Sequence, residues 1–235
     1  MSKLLLENGI EPVMQISCRD RNKIALQSDI LGANALGIKN ILCITGDSVK
    51  AGDQPDSKAV HQFESVRLLQ QIQAFNKGID PTFGELPDKK TYIFAGAAAD
   101  PSCKNQRSLE NRIRKKKEAG AQFIQTQMVM EKENLIKFCE KISNPLEIPV
   151  IAGVFLLKSY KNAIFINKYV PGANIPESIL NRLKDAKDPL KEGIQIAAEQ
   201  AHDFFNIANG VHLMAVKAEH LIPEILEKAN LNLEY

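Results

Sequence analysis

The chain has 235 residues, of which 44% are hydrophobic and 25% are charged, and this composition is typical of a soluble globular protein. The formal net charge is only +2, and no stripe of Lys and Arg alternates with aromatic residues, which argues against a nucleic-acid-binding protein. No segment approaches the roughly 18 consecutive apolar residues of a membrane span, and the N-terminus lacks a signal-peptide pattern. The four cysteines have neither CxxC nor metal-finger spacing, so we expect reduced thiols, no metal site and a cytoplasmic protein.

Short apolar runs typical of strands alternate with longer amphipathic segments typical of helices along the chain. In the first half, the apolar spacing that begins at Val60 and Phe63 predicts a long helix at 57–75. The predicted order is a helix end at 2–8, a strand at 12–17, a helix at 21–36, a strand at 40–45, a loop at 48–56, the helix at 57–75, a surface loop at 78–88 and a strand at 92–99.

The second half continues the same alternation. Its clearest helix is predicted at 190–208, where apolar residues recur every three or four positions, and Pro176 is expected in the first turn of another helix. The predicted order is a helix at 106–119, a strand at 122–130, a helix at 131–142, a strand at 148–157, a helix at 159–169, two helices that begin at Pro176 and Leu190, a strand at 210–216 and a helix at 220–229.

Uninterrupted alternation of strands and helices predicts an α/β fold with parallel strands and the helices outside. Two architectures fit, an open doubly wound sheet and a closed (β/α)8 TIM barrel, and the absence of a GxGxxG loop after the first strand favours the barrel. Six strands are predicted where such a barrel has eight, so we expect one incomplete barrel domain over 1–235 that starts two units, about 60 residues, too late. A mis-called start codon or an internal start explains this more simply than a naturally short protein.

In a barrel the active site lies at the C-terminal ends of the strands. Asp47 follows an apolar strand and the small residue Gly46, which places it to face a ligand, although an Asp at this position also caps turns. Gln127 lies in an apolar run, where a buried amide needs a partner from a neighbouring strand or from a ligand. Residues 97–99 are all alanine, which leaves room either for a flat ligand or for close helix packing.

Other polar residues near strand ends have simpler interpretations. His212 on an apolar strand is more often a hydrogen-bonded core histidine than a catalytic base, and Lys217 is typical of a solvated rim. The basic run at 112–117 fits an exposed helix face, with one member available for a phosphate as the alternative. The spacing predicts no Ser-His-Asp or Cys-His arrangement and no cluster of metal ligands.

At these residues the sequence resembles the methylenetetrahydrofolate reductases, and the resemblance covers essentially the whole chain. The resemblance implies a (β/α)8 barrel that holds a flavin, usually FAD, at the strand ends. It implies reduction of 5,10-methylenetetrahydrofolate to 5-methyltetrahydrofolate, with NAD(P)H or another electron donor as the reductant. The segments that carry it are PVMQISCRDRN at 12–22, LGIKNILCITGD at 36–47, KKKEAGAQFIQTQ at 115–127, IPVIAGVFLLKS at 148–159 and GVHLMAV at 210–216.

The resemblance also implies roles for individual residues. Asp47 would lie beside the flavin and the pterin ring of the folate, and Gln127 would hydrogen-bond the pterin, which makes these two the expected catalytic residues. Lys116 would lie near the flavin phosphates. The other cofactor contacts that it implies are Gln15, Thr45, Gly46, Ala97 and Phe63, the last as an aromatic wall.

The sequence departs from the family pattern at three points. Many relatives have His where Gln15 stands and Arg where Thr45 stands, and the loss of these polar anchors makes FMN the alternative to FAD. Family members also carry a Glu on the first barrel strand, the general acid at folate N10, and this chain has neither that strand nor the next. General acid catalysis typically contributes about 10²–10⁴-fold, so we expect the chain by itself to be impaired.

Two other functions compete with a folate reductase. The first is a non-catalytic barrel subunit that binds flavin or a partner protein and takes its missing strands from another polypeptide; open strand edges would favour association with itself or with an electron-transfer subunit. The second is a different barrel, such as a lyase with a phosphate-bearing substrate. Such a barrel is expected to have Gly-rich loops after its last strands, and residues 217–223 contain no glycine.

Overall fold

The computed structural model describes residues 1–86, 90–170 and 172–231. The chain divides into two compact units. The first contains Met1–Ala98 and Asn111–Ile124, and the second contains Ala99–Glu110 and Gln125–Tyr235. That 1–235 functions as one barrel domain stays a prediction.

The main sheet of the described residues has six strands, and their spatial order follows their order in the sequence. Parallel pairing joins the strand at 13–17 to that at 40–44, the strand at 40–44 to that at 94–99, and the strand at 150–155 to that at 210–214. The α/β fold with about six of the eight strand–helix units of a barrel is therefore confirmed. The strands are β1 (Val13–Ser17), β2 (Asn40–Ile44), β5 (Phe94–Ala99), β6 (Phe123–Met128), β7 (Val150–Phe155) and β8 (Gly210–Met214), and a separate antiparallel hairpin is formed by β3 (Ile79–Asp80) and β4 (Gly84–Glu85).

Helices connect the strands, as the alternating sequence pattern predicts. Within the described ranges, no helix combines the length and the apolar character needed to cross a bilayer. The helices are α1 (Ser2–Glu7), α2 (Lys23–Ala35), α3 (Ser65–Asn76), α4 (Gln106–Glu118), α5 (Lys132–Phe138), α6 (Tyr160–Tyr169), α7 (Glu177–Asp185), α8 (Pro189–Phe205) and α9 (Ile222–Ala229).

The predicted helix at 57–75 is wrong in its first eight residues, because α3 begins only at Ser65. The preceding segment is held by contacts with β1 and its loop. The N–H groups of Val60 and His61 both donate to the carbonyl oxygen of Arg19, at 2.7 and 3.4 Å, and His61 has a positive φ of 41°. These long-range bonds replace the bonds that a helix would have made, so Val60 is 44% exposed instead of lying on a buried stripe.

Two further predictions need correction. Part of the predicted loop at 78–88 is the β3–β4 hairpin, whose turn is closed by Asp80 Oδ1 accepting from the N–H groups of Thr82 and Phe83 at 2.6 and 3.2 Å; residues 87–89 lie outside the described residues. Pro176 is the N-cap of α7 and not part of its first turn.

The second unit contains α8, whose predicted apolar stripe is buried except at Phe205, which is half-buried. Ile194, Ala197, Ala198, Ala201 and Phe204 are all buried. Gly193 lies on the same helix against the residues that follow β7, and a Cβ at this position would overlap the carbonyl oxygen of Leu157. The helix can therefore approach the sheet this closely only because residue 193 has no side chain.

We predict that Gly193→Ala and Gly32→Ala, both inside helices, change stability in opposite directions. Gly193→Ala should lower the free energy of unfolding by about 2 kcal/mol, because overpacking outweighs the better helix propensity of Ala. At Gly32 in α2 an added Cβ meets no atom within 4 Å, so Gly32→Ala should raise the free energy of unfolding by about 0.5–1 kcal/mol. Urea denaturation of the two variants measures both effects, and equal stability of the two would contradict the packing described for α8.

Candidate functional site

In the first unit, the end of β2 carries the segment Thr45–Gly46–Asp47. Thr45 Oγ1 accepts a hydrogen bond from the Ser65 N–H at 3.1 Å and lies 3.3 Å from Ser65 Oγ, so this side chain holds the start of α3. Gly46 has a φ of +92°, and a Cβ there would collide with Ser17 Oγ and lie 2.7 Å from Arg19 Cβ. The turn therefore requires glycine, and it leaves the Asp47 side chain exposed to solvent.

Charged groups surround this turn. Arg19 binds both carboxylate oxygens of Asp20, at 2.6 and 2.9 Å. The hydrogen bond to Asp20, with smaller contributions from Asp47 and Asp53, raises the pKa of the Arg19 guanidinium. Burial, followed by the charge of Glu64, raises the pKa of the Cys18 thiol to about 11. Cys18 therefore stays protonated at neutral pH and is not a nucleophile at this edge.

Lys116 on α4 reaches the end of β5. Its ammonium group donates to the carbonyl oxygen of Ala98 at 2.7 Å. Burial lowers the pKa of Lys116, the nearby Arg112 lowers it further, and Glu64 opposes the shift. Glu64, the residue before α3, therefore influences the pKa of both Lys116 and Cys18. Of the other basic residues in the run at 112–117, Arg112, Arg114 and Lys115 are exposed.

The other residues of the first unit that are predicted to contact the cofactor differ in how accessible they are to a ligand. Gln15 pairs with Leu42 in the middle of the strand, and its side chain is exposed. Ala97 pairs with Cys43, and both residues are completely buried, so Ala97 has no surface that a ligand can contact in this structure. Phe63 is half-buried and forms part of the wall of a cleft of about 390 Å³. The cofactor roles of these residues stay predictions.

In the second unit, Gln127 near the end of β6 is exposed, so the expectation that its amide is buried is wrong. Asp100 directly follows β5 and is half-buried. Both groups face Gly172, which has a φ of +80°; a Cβ on Gly172 would lie 3.3 Å from Gln127 Oε1 and 3.4 Å from Asp100 Oδ2. Asp100 thus lies beside the residue that is expected to bind the pterin.

A second polar pair in this unit joins β6 and β8. Gln125 Nε2 lies 3.0 Å from His212 Nδ1, and burial lowers the pKa of His212. His212 is therefore a hydrogen-bonded histidine that is neutral at pH 7, which agrees with the simpler interpretation of its position. The sequence did not indicate Gln125 as its partner, because the two residues are 87 positions apart.

Comparison with known proteins gives a family. A family profile described as methylenetetrahydrofolate reductase matches residues 1–230. The chain belongs to the methylenetetrahydrofolate reductase family. The resemblance carried by the sequence motifs is thereby confirmed over nearly the whole chain.

Curated relatives in this family are distant in sequence. A protein named probable methylenetetrahydrofolate reductase (NADPH) from Caenorhabditis elegans is 24% identical over 95% of this chain and 33% of its own length. Methylenetetrahydrofolate reductase 2 from Schizosaccharomyces pombe is 27% identical over 98% of this chain and 38% of its own length. The chain thus spans about a third of the length of these two relatives.

Among solved structures, the fold is similar to that of an uncharacterized protein from Clostridium thermocellum that binds two copies of 5-methyl-5,6,7,8-tetrahydrofolic acid. The TM-score is 0.54 at 13% identity, over 97% of this chain and 96% of that one. At this identity the likeness supports the shared fold of the family, and the site residues must be judged on the geometry of this chain.

The hydrogen-bonded pair of Gln125 and His212 predicts that the free energy of unfolding depends on pH. Because burial lowers the pKa of His212 below its ordinary value of 6.5, the unfolded chain takes up a proton at a higher pH than the folded chain. Stability should therefore be lost as the pH falls below 6.5, down to the folded pKa. Urea denaturation from pH 7.5 to 5 should show a smaller loss for His212→Gln than for the wild type. His220→Gln, which changes an exposed histidine, should behave as the wild type; a wild-type slope in both variants would contradict this assignment.

Proposed function

We propose that this chain carries out the flavin-dependent reduction of 5,10-methylenetetrahydrofolate to 5-methyltetrahydrofolate, in the cytoplasm and with NAD(P)H or another electron donor. The family match over 1–230 carries the proposal. The names of the relatives and the folate bound by the Clostridium thermocellum protein agree with this substrate class. The four reduced thiols suit a reducing compartment.

The polar groups of the first unit are compatible with a flavin. Lys116 offers a partly desolvated cation at a strand end, where a phosphate would restore the pKa that burial lowers. The exposed side chains of Gln15 and Asp47 are available to a ring, the Thr45 hydroxyl already accepts from the Ser65 N–H, and Ala97 is completely buried. A bound flavin would supply the redox chemistry, the transfer of electrons from the donor to the folate as a hydride.

In this proposal the side chains of the chain contribute charge and orientation. The Asp47 carboxylate would stabilise the cationic iminium form of the folate and would disfavour additional negative charge beside it. Gln127, which has an exposed amide, would hold the pterin by hydrogen bonds. Neither residue transfers a proton in this scheme, so the proposed catalysis is electrostatic and positional.

Flavin dependence can be tested with two lysine variants. We expect the purified chain, mixed with FAD or FMN and desalted, to retain the absorbance of a bound flavin. Lys116→Met should weaken flavin binding about tenfold or more, because it removes a charge-assisted hydrogen bond. Lys115→Met, which changes an exposed neighbour, should bind flavin as the wild type does.

A wild-type chain that retains no flavin, or two lysine variants with equal affinity, would count against the flavin site. Flavin binding without any folate turnover would instead support the non-catalytic subunit.

The proposed role of Asp47 predicts that its substitution affects the two half-reactions, reduction of the flavin by the donor and reduction of the folate by the flavin, to different extents. Asp47→Asn should slow the reduction of methylenetetrahydrofolate by roughly 10²-fold, because it removes a charge that stabilises the reacting folate. Reduction of the flavin by its donor should change little. Stopped-flow absorbance measures the two half-reactions separately, and Asp56→Asn serves as an exposed control. Equal slowing of both half-reactions would refute this role.

A further inference from the structure

Two side-chain oxygen atoms in the second unit, one of Asp100 and one of Gln127, lie beside Gly172, which has no side chain to cover them. Gln127 Oε1 and Asp100 Oδ2 lie 3.3 and 3.4 Å from the place where a Cβ of Gly172 would stand. The other carboxylate oxygen, Oδ1, already accepts from the Ser102 N–H at 2.9 Å, which orients the carboxylate. Among the described residues, neither Asp100 Oδ2 nor the Gln127 side chain has a hydrogen-bond partner.

The chemistry of these two groups restricts the ligand. A carboxylate oxygen accepts hydrogen bonds only, and an amide offers an acceptor at one end and two donors at the other. The pair therefore suits a ring edge with adjacent N–H donors and a neighbouring carbonyl. The pterin of a folate has such an edge, formed by its 2-amino group, N3–H and O4. The corresponding edge of a flavin has one N–H between two carbonyl groups, and a carboxylate opposes those carbonyls.

We propose that Asp100 is a substrate-recognition residue that accepts hydrogen bonds from the 2-amino and N3–H groups of the pterin, beside Gln127. This inference rests on the proposed function and adds a residue that sets substrate specificity. A cation is a poorer occupant, because no group of three or more His, Cys, Asp or Glu among the described residues could hold a metal ion. A purely structural role needs only Oδ1, which closes the turn at Ser102.

Asp100→Asn separates the two roles of the carboxylate. Asn retains an oxygen for the Ser102 N–H, so the turn is kept, while its amide nitrogen replaces the unpartnered acceptor with a donor. Isothermal titration calorimetry with 5-methyltetrahydrofolate on the full chain should show binding that is about tenfold weaker or worse. Asp185→Asn, an exposed control in the same unit, should bind as the wild type. Thermal unfolding of both variants checks that the fold is retained.

A second ligand distinguishes recognition from a structural effect. A tetrahydrofolate analogue with hydrogen in place of the 2-amino group should bind the wild type about tenfold more weakly than the parent folate. Asp100→Asn should bind the two ligands with equal affinity, because the acceptor for the amino group is gone. A variant that keeps the wild-type preference for the amino group, or that binds folate as tightly as the wild type, would overturn the role of Asp100 alone. A wild-type chain that binds no folate would overturn the proposed function and this inference with it.

Discussion

Parallel pairing of strands that are joined by helices brings the C-terminal ends of neighbouring strands to the same edge of a sheet. The polar groups near Asp47 and Gln127 follow that constraint within each unit. In the first, the turn at Asp47 follows β2, and Lys116 reaches back to the Ala98 carbonyl near the end of β5. In the second, Asp100 follows β5 and Gln127 lies near the end of β6. The fold thus concentrates hydrogen-bonding groups at the strand ends, where the backbone N–H and C=O groups no longer pair with a neighbouring strand.

Two titratable groups near these strand ends, Lys116 and His212, differ in how their polar atoms are paired. Burial lowers the pKa of Lys116 and of His212, but only His212 has a side-chain partner at hydrogen-bond distance, Gln125. The neutral imidazole of His212 has a hydrogen-bond partner in the Gln125 side chain. Lys116 donates to one backbone carbonyl and keeps its ammonium group partly desolvated. A cation held at such a cost is typical of functional sites, because an anionic ligand relieves the cost.

Side chains that the fold already uses are poor candidates for ligand contacts. The Thr45 hydroxyl holds the start of α3, and the Ala97 methyl is part of the core. The exposed side chains of Gln15, Asp47 and Gln127 take part in no hydrogen bond among the described residues. The ligand roles of these residues, and of Lys116 as the partly desolvated cation, stay predictions.

The sequence by itself determined the order of strands and helices, the parallel fold class and the family, because apolar spacing and short motifs are local properties of the chain. Only the tertiary structure decided that 57–64 is not helical, since the bonds of Val60 and His61 to Arg19 join residues about forty positions apart. The same holds for the exposure of Gln127 and for its approach, with Asp100, to Gly172. Contacts between distant segments depend on how strands and loops pack, and no local pattern of residues records that packing.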